Sequence, residues 1–131
     1  VFNVEIADRG RARSRGLMGR KELAANSGML FLYGKPQEIR MWMKDTPLSL
    51  DMVFIEQDGA VHKIEKNAVP FSEITIYSDG ALLACLELPG GTADRIGLAV
   101  GDRIEYRAFA RPEGQALRTM PAGSGSAGLP L

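Results

Sequence analysis

Two strand-length runs in this chain are apolar on nearly all of both faces, and each holds one carboxylate before its last residue. The first is LSLDMVFIE at residues 48–56, and the second is ALLACLEL at residues 81–88. Side chains alternate across a strand, so a half-solvated strand shows apolar and polar residues in turn. In the first run Leu48, Leu50, Met52 and Phe54 form a wholly apolar row. The opposite row is Ser49, Asp51, Val53 and Ile55, polar at its start and apolar at its end. That strand starts near a wet rim, with Asp51 beside the rim, and then runs into the interior. In the second run Leu82, Ala84, Leu86 and Leu88 share one face, and Ala81, Leu83, Cys85 and Glu87 the other. Glu87 ends an apolar row as Asp51 begins one. Both strands need cover on both sides.

The remaining segments read as short strands, turns and small helices. Residues 1–7 alternate strictly and predict a half-buried strand. Asp8 offers an N-cap for a helix over residues 9–18, which Gly10 and Gly16 each weaken by about 1 kcal/mol relative to alanine. Residues 21–25 predict a further helical turn, 26–28 a turn, 29–33 a short apolar strand and 34–37 another turn. In the strand at residues 39–44, Ile39, Met41 and Met43 share an apolar face, while Arg40, Trp42 and Lys44 share the wetter one. Asp58-Gly59 predicts a tight hairpin into a strand at residues 60–67. Val61 and Ile64 do not share parity there, so a bulge is expected near Lys63. A short strand at 74–77, a turn at 78–80, a brief helix at 92–96 capped by Thr92 and closed by Gly97, and a last strand at 103–110 complete the periodic part. Residues 111–131 are rich in Gly, Pro, Ser and Ala without periodicity. The chain thus divides into one β-rich domain at 1–110 and a low-complexity tail at 111–131, for which a homo-oligomeric contact is the expected means of ordering.

Composition narrows the function. The length, 131 residues, fits one domain, and Lys+Arg and Asp+Glu are both 16. A zero net charge argues against a general nucleic-acid or membrane-surface binder, whose affinity comes from excess positive charge. No apolar run approaches the roughly 18–20 residues of a membrane span. The one histidine, His62, has no ligand-spaced partner, so no metal site and no cofactor are expected. The one cysteine, Cys85, falls on a buried row and is expected to be inert. The sequence starts at Val1, and a periplasmic or exported location is expected if a signal segment precedes it. Phosphate-cradling loops, a Ser-His-Asp set and a dinucleotide fingerprint are all missing. Gly90-Gly91 before the short helix offers a weak anion site.

Five motifs together carry a resemblance. RARSRGLMGR at 11–20, GMLFLY at 28–33, MWMKDTPLSLDMVFI at 41–55, LELPGG at 86–91 and GLAVGD at 97–102 stand in the order found in domain of unknown function 192, a bacterial and archaeal family. The chain resembles that family over residues 2–107. The resemblance implies a compact, mostly β domain of sandwich or barrel type with short helices, and no known activity. Asp45 stands where the family commonly has Asn, and Ser49 where it commonly has Pro.

The polar residues left over are the candidate site: Trp42, Asp45, Thr46, Asp51, Glu87, Arg13 and Arg20. Three readings compete. In the first the domain is a non-catalytic binding module for a small polar ligand such as a saccharide, with Trp42 as a stacking platform and Asp51, Glu87 and an arginine as fixing groups. In the second Asp51 and Glu87 are a hydrolase's catalytic carboxylate pair, about 5–9.5 Å apart. In the third those carboxylates are satisfied by Arg13, Arg20 or backbone amides, and Trp42 only covers a core edge with cations along its ring. That third protein would act structurally or through a protein contact.

Overall fold

The computed structural model describes residues 1–109 and 128–130. In chain order its elements are β1 (Asn3–Ala7), α1 (Gly10–Arg15), β2 (Ser27–Met41), β3 (Leu50–Ile55), β4 (Val61–Ala68), β5 (Ile76–Pro89), α2 (Thr92–Ile96), β6 (Arg103–Glu105) and β7 (Gly128–Pro130). Five strands form one mixed sheet in the order β1-β2-β5-β3-β4, and β6 pairs with β7 in a small parallel sheet. The two doubly apolar runs become β3 and β5, both interior strands with a neighbour on each side. All six residues of β3 are buried.

Apolar residues cover both faces of the five-stranded sheet. Phe31, Met43, Leu50, Met52, Phe54 and Cys85 pack on one face. On the other, Leu30, Val53, Ile55, Leu86 and Leu88 meet Ile104 of β6. Fully burying each large side chain contributes about 1.5–3 kcal/mol. The mostly β, single-domain class expected from the sequence is therefore what is found, with β6 packed against one face through Ile104.

Local turn signals mislead at two places. Residues 29–33 and 39–44 were expected as separate strands, but β2 runs unbroken from Ser27 to Met41. Residues 74–77 and 81–88 likewise fuse into β5. The two long strands pair with each other, and register shifts between Leu32 and Gln37 and between Glu38 and Arg40 absorb the polar insertions as bulges. Side chains satisfy the backbone where the ladder lapses. The Glu38 carboxylate accepts from the amides of Asp79 (3.1 Å) and Gly80 (2.8 Å). Ser78 Oγ accepts from the Ile39 amide at 2.8 Å and donates to the Gly80 carbonyl at 2.8 Å. The irregularity also shifts Leu82 to the Cys85 side, so the expected row survives only as Ala84, Leu86 and Leu88.

Other boundaries also differ. Helix α1 is shorter than expected and begins after Arg9, without a side-chain cap from Asp8. Gly16 ends it at a positive φ of 49°. Residues 21–24 are not helical, and the last strand stops at Glu105 because Tyr106–Phe109 turns, the Phe109 amide donating to the Tyr106 carbonyl. The Asp58-Gly59 hairpin and the bulge beside Lys63 form as expected: β4 opposes Lys63 to Phe54 but Val61 to Ile55, leaving His62 over. His62 Nε2 lies 3.0 Å from the Asp79 carbonyl, a contact that ties β4 to the β5 bulge. Of the tail, residues 128–130 form β7, while 111–127 and 131, with the expected oligomeric contact, lie outside the described residues.

Candidate functional site

Asp51 does not sit at a wet rim. It is fully buried, and its carboxylate accepts three backbone N–H bonds, from Asn67 (2.9 Å), Gly91 (3.2 Å) and Ala93 (2.7 Å). A second bulge in β4, between the partners of Leu50 and Met52, turns Asn67 to positive φ and brings its amide to the carboxylate. Gly91 at φ 91° is the N-cap residue of α2, so Asp51 caps that helix from a neighbouring strand. Thr92, expected as the cap, is instead the first helical residue and donates to the Pro89 carbonyl at 2.6 Å. The anion site expected at Gly90-Gly91 is thus filled by the protein's own Asp51.

Glu87 is the opposite case. It is 3% exposed, and among the described residues no hydrogen-bond donor or cation meets its carboxyl group. Among the described residues, side-chain polar atoms sealed from solvent all have partners, so the Glu87 oxygens must open on free space. That space is a cavity of about 470 Å³ between α1, β2 and the turn after it, lined by Glu87, Arg13, Tyr33, Arg40, Trp42 and Lys44 among others. Burial pushes the Glu87 carboxyl up to about 8, so at neutral pH it is mostly the uncharged acid, able to donate a hydrogen bond. Gly28 allows β2 to approach here, since a Cβ at that position would lie 2.3 Å from the Glu87 carbonyl oxygen.

The cavity walls are built by partnered residues. Arg13 donates to the Leu32 carbonyl at 3.0 Å, and its guanidinium lies 5.1 Å from the Tyr33 ring centroid. Burial, then the neighbouring Cys85, raises the Tyr33 phenol to about 12, and its hydroxyl donates to Met41 Sδ at 3.8 Å. Trp42 is 44% exposed, with the Lys44 ammonium 5.2 Å from its ring centroid. Thr46 Oγ1 donates to the Lys44 carbonyl at 3.0 Å and closes the turn.

The structure therefore brings together four of the seven candidates, Arg13, Trp42, Thr46 and Glu87, and separates the other three. Arg20 pairs with Glu5 on the surface and reaches neither buried carboxylate. Asp45 is an exposed residue at φ 54° whose carbonyl accepts from the Gly19 amide. Asp51 faces away: it opposes Leu88 while Met52 opposes Glu87, so the two carboxylates emerge on opposite faces of the sheet. They form no catalytic pair, and among the described residues no arginine satisfies either. Sequence reasoning missed Tyr33 and Arg40 as lining residues. Tyr33 follows Met29 and Phe31 in parity, and Arg40 flanks Trp42, but neither signal tells which strand ends enclose a cavity. Burial raises the Cys85 thiol well above its ordinary range, which leaves it unreactive. Among the described residues no group of three or more His, Cys, Asp or Glu could hold a metal, and no helix is long and apolar enough to cross a membrane.

Two solved structures are similar in both fold and sequence. One is a "putative transcription regulator" from Sinorhizobium meliloti, 46% identical, with a TM-score of 0.75 over 76% of this chain and 78% of that one. The other is a protein of unknown function from Novosphingobium aromaticivorans, 39% identical, with a TM-score of 0.78 over 80% of this chain and 75% of that one. The chain matches no curated protein. The family model DUF192, described as "Uncharacterized ACR", covers residues 1–106, and this chain belongs to that family of unknown function.

Proposed function

We propose that the domain binds a small polar ligand in the cavity beside Glu87. The observation that carries this reading is a buried carboxyl group with no partner among the described residues, opening on a cavity walled by Trp42 and Tyr33. Sites for small molecules typically span about 300–1,000 Å³ and combine rings with few polar groups. A buried polar group without a partner costs about 1–3 kcal/mol, and a ligand that supplies the partner recovers it. Asp51, fully satisfied by backbone amides, is excluded from this site.

A thermal-shift screen with sugars, amino acids and small organic acids tests the reading. A ligand at about 100 times its Kd adds about 2.7 kcal/mol, several degrees for a domain of this size. The expected result is a shift with at least one class that Trp42→Ala reduces. A screen in which no compound moves the transition overturns it. The name borne by the Sinorhizobium meliloti relative suggests transcription control instead. Against DNA reading stand a net charge of zero and, among the described residues, helices of only six and five residues.

A further inference from the structure

We propose, resting on the cavity reading above, that the ligand is a small organic oxyanion, held by Arg13, Arg40 and Lys44 and hydrogen-bonded by the Glu87 carboxyl group acting as donor. The charge arrangement carries this. Four cations, Arg13, Arg15, Arg40 and Lys44, line the cavity, against the single carboxyl group of Glu87. Outside the cavity Arg20 pairs with Glu5, Lys63 with Asp79, Lys66 with Asp94 and Arg103 with Asp58, while Arg9, Arg11, Lys21 and Lys35 meet no carboxylate among the described residues. Among the described residues, none of the four lining cations has a carboxylate partner. Positive charge gathered around a concave, part-apolar wall concentrates anions there.

Glu87 lies in the wall of the same cavity. Its cross-strand neighbours are Met29 on β2 and Met52 on β3, neither of which offers a strong donor or a charge. The titratable groups that interact with it are Tyr33 on β2 and Cys85 on its own strand, both kept neutral by burial, while Arg13 of α1 stacks on the Tyr33 ring and lines the same cavity. An uncharged carboxyl group there needs an acceptor, and an oxyanion supplies one. A cationic ligand would gain from an ionised Glu87 but meet four like charges. A neutral sugar could accept from Glu87 but would leave the cations unused. A carboxylate or a phosphate oxygen satisfies both demands, and its affinity falls when Glu87 ionises and repels it.

Isothermal titration of the full chain with succinate, benzoate, inorganic phosphate and glucose, at about pH 6 and about pH 9.5, tests this. The expected result is that at least one oxyanion binds at the lower pH and binds at least tenfold more weakly at the higher. Succinate or benzoate alone assigns a carboxylic acid, and phosphate alone a phosphate compound. Glu87→Gln, which keeps an N–H donor at every pH, should retain the low-pH affinity under both conditions. Glu87→Met, which has no donor, should lose at least tenfold at both, and Arg40→Glu should abolish binding. Binding of glucose with no oxyanion leaves the cavity reading standing and overturns this one. Heat from no compound overturns both. An oxyanion whose affinity ignores Arg40→Glu binds elsewhere and overturns the assignment, and one indifferent to pH and to Glu87→Met overturns the donor role of Glu87.

Discussion

Asp51 and Glu87 lie one register step apart on adjacent strands, and they face opposite sides of the same sheet. Both are buried acids, yet their surroundings differ in kind. Asp51 accepts three backbone N–H bonds and fastens α2 and the β4 bulge to β3. Glu87 has no donor among the described residues and opens on a cavity. Burial alone thus does not tell the two acids apart. The count of partners does: a carboxylate saturated by the backbone is part of the frame, while an unpaired one lowers stability and leaves bonding capacity for a ligand.

The comparison breaks first at Asp51. Asp51→Ala leaves three amides without their acceptor and should lower unfolding free energy by about 3–5 kcal/mol, read from urea denaturation. A loss below about 1 kcal/mol would show that the capping network is not structural, and the contrast with Glu87 would collapse.

A somewhat smaller effect is expected at Glu87, with pH as the readout. Its ordinary value is 4.5 and its folded-state value about 8. Below about 4.5 both states hold the proton and nothing is lost; above it the unfolded chain ionises while the folded one does not. Wild-type stability therefore falls as pH rises through this window and levels off above about 8. Between about pH 5 and pH 7, Glu87→Gln should gain about 3 kcal/mol relative to wild type, measured by urea midpoints across pH. A constant difference across that range would mean that Glu87 is ionised in the folded protein, and the acid could not serve as a donor.

The smallest change belongs to the arginine that sequence reasoning placed near these acids. Arg20 and Glu5 form an exposed pair in which the Arg20 hydrogen bond holds the Glu5 carboxyl below its ordinary range. Arg20→Ala should cost less than about 1 kcal/mol, and less still in high salt, because solvent screens the pair. A larger loss in denaturant titration would give the pair a role beyond its geometry.

Much of this frame is legible residue by residue. The double apolar rows of 48–56 and 81–88 give the two buried strands, and the parity of 39–44 correctly buries Ile39, Met41 and Met43 while exposing Trp42. Asp58-Gly59 gives the hairpin, and the mismatch of Val61 and Ile64 gives the bulge. These features are local, because alternation and turn chemistry act between residues a few positions apart.

Pairing between distant segments decided the rest. The turn signal at 34–37 falls in a bulge of β2 opposite Leu83 and that at 78–80 in a bulge of β5 opposite Ile39, so each strand continues along its partner instead of reversing. The relative register of β3 and β5 sends Asp51 and Glu87 to opposite faces, which neither strand's own pattern contains. The amides that reach Asp51 come from residues 67, 91 and 93, and the cavity around Glu87 is enclosed by α1 and the end of β2. Sequence by itself determined that the two doubly apolar strands of a β domain each carry an acid, and it placed Asp51 at a rim that the structure buries. Only the tertiary structure decided that one is satisfied and the other free, because hydrogen-bond partners across a sheet are set by register and bulges, and a one-residue change in register moves a side chain to the other face.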